Sequence, residues 1–230
     1  PNIIITLFWI VGITSATNSL DNCDGVASGV TAIASFFIFV IAWGSSTDDA
    51  QPWLSYLAIG MAGSCLGFLR YNFPPARIYL GDNGSFFLGY MLASMLVFAH
   101  YSENPLKAIL VPCLVLAVPI FDITLSTLLR IRDGDVRSWK EAVLYCGRDH
   151  MAHLLMRVGF SKKRTVAVIY SLAVGGGVAA LLVMANDKFS VCFAIAGMYG
   201  VLLVAVGILL GRVRQKLGNP LLKRKTGVTA

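Results

Sequence analysis

The sequence predicts an all-α fold, a polytopic transmembrane helix bundle of about seven spans. Of its 230 residues 57% are hydrophobic and only 13% charged, with a mean hydropathy of +0.72, more apolar surface than one soluble core can hide. The apolar residues fall into runs near the ~20 residues that cross a bilayer as a helix, where every backbone polar group must be bonded internally. The basic residues gather on one side of these runs.

In order, the spans are expected at residues 1–17, 25–44, 53–70, 85–100, 105–129, 165–185 and 190–211. The first ends where polar residues begin at Asn18, and the second opens at Gly25. The third stops at Arg70, ahead of the Pro74-Pro75 pair that stiffens the chain, and the fourth, opening at Ser85, is short. The fifth carries Pro105, Pro112 and Pro119 at seven-residue intervals, near one helix face, where kinks would open room beside Asp122. The last two follow the polar stretch 130–164.

Lys and Arg are retained on the cytoplasmic side during insertion. Making loops 15–24, 70–84 and 130–164 and the tail 212–230 cytoplasmic places 17 of the 19 basic residues there, leaving Lys107 and Lys188 opposite. Eight of the twelve acids share that side, while Asp48, Asp49, Glu103 and Asp187 read as solvated outer turn residues. A net charge of +7 is thus juxtamembrane, facing anionic lipid headgroups and anionic substrates, and nucleic acid is not an expected partner. The tail residues Arg212, Arg214, Lys216 and Lys223-Arg224-Lys225 read as a topology signal and lipid anchor without a catalytic role.

Five cysteines without a C-x-x-C pair argue against a disulfide framework, and Cys23 and Cys146 fall on the reducing side. Residues 1–17 lack the basic leader and cleavage site of a signal peptide. The chain opens at Pro1 inside an apolar run, so an amino-terminal portion is expected to precede it. One membrane domain, residues 1–230, accounts for the whole sequence.

Chemistry concentrates on the cytoplasmic side. Asn18, Asp21, Asn22 and Asp24 place four oxygen-bearing side chains within seven residues, and Gly25 lets the backbone turn. Hard oxygens suit Mg2+ or Mn2+. Helix capping explains one of the four, Asp24, but not all. In the second loop Asn72 precedes Pro74-Pro75, and Gly81-Asp82-Asn83-Gly84-Ser85 opens the next span. Free N–H groups at a helix start attract phosphate, and a bridging Mg2+ would reconcile Asp82 with it; a turn with a cap is the plainer reading.

Asp122 lies about seven residues inside the fifth span, ~10 Å deep at the helical rise. An ionisable group there is a functional candidate, with an ion pair to Arg130 or Arg132 as the structural alternative. In the third loop, Arg148-Asp149-His150 is followed by His153; if helical, the two histidines share a face suited to gripping phosphate or moving a proton. Zinc on Cys146, His150 and His153 lacks an evident fourth ligand. Trp139, Leu144, Leu154, Leu155 and Val158 suggest that parts of this loop lie in the membrane interface, apolar side down.

Asn18-x-x-Asp21-x-x-Asp24-Gly25, Asn72-Phe-Pro-Pro-Ala-Arg77 running on to Gly81-Asp82-x-Gly84-Ser85, Pro119-x-x-Asp122 and His150-x-x-His153 occur in the order seen in one family. Over nearly its whole length the chain resembles the polyprenyl-phosphate N-acetylhexosamine-1-phosphate transferases of glycosyl transferase family 4. The resemblance implies Mg2+-dependent transfer of a sugar 1-phosphate from a UDP-sugar to polyprenyl phosphate, releasing UMP, at the inner face of the bacterial cytoplasmic membrane, for cell envelope polysaccharide synthesis. It implies Asp82 and Asp24 as metal ligands, and Asp21, Asp24, Asp82 and Asp122 as the catalytic set. Asn18, Asn72, Arg77, Arg148, His150 and His153 would bind substrate. Membrane lipids are the surrounding partners, and a homodimer is compatible with the sequence.

Two departures stand out: Ala152 replaces another histidine of the family motif, and the family's upstream Asp-Asp pair is absent. Asp48-Asp49, on the outer side, is no substitute, so the chain alone is expected to be incomplete. The His pair and Pro-Pro-Ala-Arg look more like the N-acetylglucosamine 1-phosphate transferases than the phospho-N-acetylmuramoyl-pentapeptide transferases, the alternative within the family. A transporter or flippase of an anionic lipid is the alternative of another class; such proteins tend to place polar groups near the bilayer midplane on broken helices in inverted repeats, and here neither midspan charge nor a repeat is visible.

Overall fold

The computed structural model describes residues 3–44, 52–99, 102, 104–134 and 149–217. Its helices are α1 (Ile3–Leu20), α2 (Val26–Gly44), α3 (Pro52–Asn72), α4 (Gly81–Phe98), α5 (Pro105–Val115), α6 (Ala117–Arg132), α7 (Met151–Arg157), α8 (Lys162–Met184) and α9 (Phe189–Leu217). No strand occurs among the described residues. By length and apolarity α1, α2, α3, α8 and α9 are each able to cross a membrane, and the bent pair α5–α6 would make a sixth span. Helix α4 corresponds to the short fourth span and opens on the polar turn Gly-Asp-Asn-Gly-Ser.

Helix α2 is the hub, packing on α3, α8 and α4. Its seam with α8 is built by small residues facing large ones. A Cβ on Gly29 would stand 1.8 Å from Tyr170 Oη, and one on Gly177 would stand 2.1 Å from the Phe37 ring. Tyr170 uses that notch to donate its hydroxyl to the Gly25 carbonyl at 2.6 Å. Close approach of this kind is how helices associate where lipid removes the hydrophobic drive between them. Helices α1 and α4 meet in the same way, with Gly89 against the backbone of Thr14 and the side chain of Thr17. The outer face of α1 exposes Ile3, Ile4, Ile5, Leu7, Phe8 and Val11, an apolar surface that water would not tolerate.

The expected fifth span is broken. Pro119 has no N–H to offer the Val115 carbonyl, and its ring would collide with it, so α5 ends at Val115. Leu116 takes a non-helical conformation and the axis turns by 72° before α6. The bend carries Asp122 into the site.

Three further differences from the sequence-based expectation matter. Helix α1 continues to Leu20, because Asn18 and Ser19 find helical partners, so the first loop shortens from 15–24 to 21–25 and Asn18 stands in a helix. The 130–164 stretch contains α7, whose Leu154 and Leu155 are buried against the bundle rather than laid on a membrane surface. Trp139 and Leu144 lie outside the described residues. Asp187 is solvated as expected, yet it receives the ammonium of buried Lys107 at 2.9 Å, which also donates to the Met184 carbonyl. That hydrogen bond holds the Asp187 carboxyl below the usual carboxylate range.

Gly177→Leu should lower thermal stability in detergent by about 1–3 kcal/mol through overpacking against Phe37. Gly63→Leu on α3, with nothing within 4 Å of its would-be Cβ, should leave stability unchanged or slightly raised. Equal melting shifts in the two variants would contradict the close α2–α8 seam.

Candidate active site

Side-chain contacts gather the site at one end of the bundle, where α1, α3, α6 and α9 finish and α2, α4 and α8 begin. Asn72, in the last turn of α3, is 2% exposed and acts as a clamp. Its Oδ1 accepts from the Gly25 N–H at 3.0 Å and from Ser28 Oγ at 2.9 Å, and its Nδ2 donates to the Ile78 carbonyl at 2.9 Å. One amide thus ties the start of α2 to the α3–α4 loop. Gly25 sits at φ +75°, and a Cβ there would stand 3.3 Å from Leu69 and 3.4 Å from Phe73 and Pro74, so a side chain would meet both conformational and steric resistance.

A second tie joins α1 to α4. Ser85 Oγ donates to Asn18 Oδ1 and also lies near the carbonyls of Gly81 and Asp82. Between the two ties sit the carboxylates. Asp24 accepts from the Ala76 N–H at 3.3 Å and from Lys162 Nζ at 3.1 Å. Asp82 is exposed in the first turn of α4. Asp21 is half-buried, and its carboxyl is pushed up to about 6. Burial is the chief cause; a hydrogen bond from the Gly81 backbone opposes it, and the charges of Asp82 and Asp24 add to it.

The donor set has the chemistry of a hard-cation site. The charges of Asp82 and Asp24 both bear on Asp21, and Lys162 is paired with Asp24. Asn22 Oδ1, in the same loop, is buried without a hydrogen-bond partner among the described residues. No three His, Cys, Asp or Glu side chains among the described residues converge on one point. Mg2+ does not require that: it is usually held by one or two carboxylates, with substrate phosphates and water completing its shell. Of the zinc reading, Cys146 lies outside the described residues.

The second group centres on His150, which is not helical but occupies the extended position before α7. Its Nδ1 lies 2.8 Å from Asp122 Oδ2, and the other oxygen of Asp122 accepts from the Met151 N–H at 2.6 Å. Asp122, 1% exposed, is therefore spent on His150 and the start of α7, and not on Arg130 or Arg132. With Asp122 as acceptor, the hydrogen-bond pattern places the proton on Nδ1. Nε2 then faces Arg130 Nη2 at 3.4 Å.

Arg130 grips Asp149 with both Nε and Nη2. Arg214 from α9 adds Nη1 at 3.3 Å to the same carboxylate, while its Nε reaches Asp133 at 2.8 Å. Burial alone would raise the Asp149 carboxyl; the Arg130 hydrogen bonds and the charges of Arg130, His150 and Arg214 outweigh it and hold the group below its usual range. Arg214 is 3% exposed, which corrects its reading as part of a solvated lipid anchor. Arg212, two residues earlier, is exposed.

The remaining candidates are placed as follows. Arg77 is exposed on the α3–α4 loop, with its backbone N–H bonded to the Tyr71 carbonyl at 2.8 Å. His153 is half-buried on α7. Arg148 lies outside the described residues. Sequence reasoning misses Lys162, one of three consecutive basic residues, and Ser28 and Tyr170, which lie within apolar runs where no motif singles them out.

The sequence matches known proteins. Residues 2–100 match the model of glycosyl transferase family 4. The chain is 37% identical over 166 residues to a probable undecaprenyl-phosphate N-acetylglucosaminyl 1-phosphate transferase of Bacillus subtilis, covering 72% of this chain and 44% of that protein. It is 34% identical to a decaprenyl-phosphate N-acetylglucosaminephosphotransferase of Mycobacterium leprae, covering 74% of this chain and 45% of that one. A phospho-N-acetylmuramoyl-pentapeptide-transferase of Limosilactobacillus reuteri is 36% identical over 41% of this chain and 29% of its own. The chain thus spans less than half the length of the curated relatives it matches. The matched residues 2–100 include Asn18, Asp21, Asp24, Asn72, Asp82 and Ser85, and the apolar helices that carry them make this a multi-pass membrane protein. On these matches the chain belongs to glycosyl transferase family 4.

Proposed function

We propose that the protein transfers N-acetylhexosamine 1-phosphate from a UDP-sugar to polyprenyl phosphate, with Mg2+ as cofactor and UMP as product. The reaction would take place on the cytoplasmic face of a bacterial inner membrane, in cell envelope polysaccharide synthesis. The observation that carries this reading is the Asp21–Asp24–Asp82 cluster, in which the charges of Asp82 and Asp24 bear on Asp21 and Lys162 is paired with Asp24 alone. Such a cluster suits a cation arriving together with a pyrophosphate. The names of the relatives supply the class of lipid acceptor and sugar.

Asp82 and Asp24 would hold the metal, with Asp21 beside them and Mn2+ able to replace Mg2+. Bound there, Mg2+ would offset charge on the pyrophosphate and on the departing UMP. Arg77, exposed beside the cluster, would add positive charge toward phosphate oxygens, and Arg148 and His153 would serve the same end. Asp122 fixes His150 in one tautomer and direction. The long 3.4 Å contact from Arg130 to Nε2 is the one a phosphate oxygen would displace. Asn18 and Asn72 hold the loops in register, because their side chains are bonded to Ser85, Gly25, Ser28 and Ile78.

In the full-length protein, Asp82→Asn should abolish Mg2+-dependent UMP release from UDP-N-acetylglucosamine and polyprenyl phosphate; turnover at the wild-type rate would sink the metal assignment. Asp122→Asn should cut kcat by ~100-fold or more while the protein still folds, because the amide presents a donor where His150 needs an acceptor. An unchanged kcat there would remove His150 from the chemistry. A cysteine replacing Lys188 should react with impermeant reagent from outside intact cells, and protection from it would reverse the proposed orientation.

A further inference from the structure

We propose that α9 is a positioning element for the site and that Arg214 is its working residue, an inference that rests on the role of His150 given above. Helix α9 reaches α6 through Gly207 and Gly211, one turn apart. A Cβ on Gly207 would touch Phe121 and Leu125 at 3.4 Å, and one on Gly211 would meet Arg132 and Leu129 at 3.1 and 3.2 Å. Small residues four apart allow two helices to approach closely in a bilayer. Arg214 is the next residue on that face, three beyond Gly211, so the seat formed by the glycines aims it between α6 and α7.

There it does what a lipid anchor cannot. One guanidinium joins Asp133, at the end of α6, to Asp149, which precedes His150. The planar fork of arginine can serve two carboxylates at fixed angles; a lysine ammonium is a point charge on a flexible stem. Arg130 completes the frame by gripping Asp149 from α6. The segment that begins α7 is thus held from α6 by Asp122 and Arg130 and from α9 by Arg214. Buried ion pairs add little net stability once their desolvation is counted, and what they do supply is a unique arrangement.

Loss of Arg214 would not leave a carboxylate stranded, because Arg130 remains on Asp149 and Arg132 remains on Asp133 at 2.7 Å. Arg214→Gln is therefore expected to fold. In the full-length protein it should accelerate amide hydrogen exchange at Met151 and Leu154 without changing α2 or α8. It should lower kcat by roughly 10- to 100-fold, the effect of a small misplacement, with a smaller change in the KM for UDP-N-acetylglucosamine. Arg214→Lys should fall between wild type and Arg214→Gln in both readouts. Wild-type exchange and kcat in Arg214→Gln would overturn the proposal. So would a fall in kcat without faster exchange at α7, or faster exchange spread equally through α2 and α8. If the wild-type protein shows no transferase activity, the proposed function falls, and the exchange at α7 still decides whether Arg214 holds that segment.

Discussion

The buried amide of Asn72 is the constraint on which the site depends. Its three hydrogen bonds join the turn before α2 to the loop before α4, two segments separated by some fifty residues of chain. Together with the Ser85–Asn18 bond between α1 and α4, that tie keeps Asp24 beside Ala76 and Asp21 within range of Asp82 against the repulsion of their charges. Gly25 makes the tie geometrically available: at φ +75° it presents its N–H to Asn72 and its carbonyl to Tyr170, a residue on the far side of α2. The clamp therefore couples the acidic loop to the α2–α8 seam, and the notch at Gly29 that admits the Tyr170 ring belongs to the same construction.

Charge is handled in opposite ways in the two halves of the site. Around His150 each buried acid has partners: Asp122 has the imidazole and a backbone N–H, while Asp149 has two guanidinium groups. That arrangement is complete without a ligand and fixes geometry. In the acidic loop the carboxylates outnumber their paired cation, Lys162, and burial, aided by the charges of Asp82 and Asp24, pushes the Asp21 carboxyl up to about 6. A half that is rigid and charge-balanced beside a half short of positive charge is what a site needs if it is to receive a cation and a phosphate together against a fixed frame.

Much of this was legible in the sequence, and the gaps have physical reasons. Apolar run lengths located the helices to within a few residues, because the bilayer thickness leaves little freedom. The last turn of α1 is hidden because Asn18 is polar like a loop residue, whereas its side chain bonds to Ser85 across the bundle and its backbone remains helical. Asp122 was found because a carboxylate within an apolar run is conspicuous. Its partner was not, since His150 lies 28 residues away and both Arg130 and Arg132 looked nearer. Arg214 was hidden among the basic residues of the tail; the signal that would have exposed it is Gly207-Ile-Leu-Leu-Gly211, which marks the face of α9 that turns inward. Leu154 and Leu155 show the remaining ambiguity, since a short apolar stripe reads alike whether it meets protein or membrane.

A divalent-cation site held by Asp24 and Asp82, with Asp21 beside them, is open to direct measurement. Mn2+ titration of the purified full-length protein in the presence of UMP, followed by electron paramagnetic resonance, tests it without reliance on turnover. The account predicts one tightly bound Mn2+ per chain, displaced by Mg2+, and loss of that binding in a variant carrying Asp24→Asn with Asp82→Asn. Retention of the tight site in the double variant would contradict it.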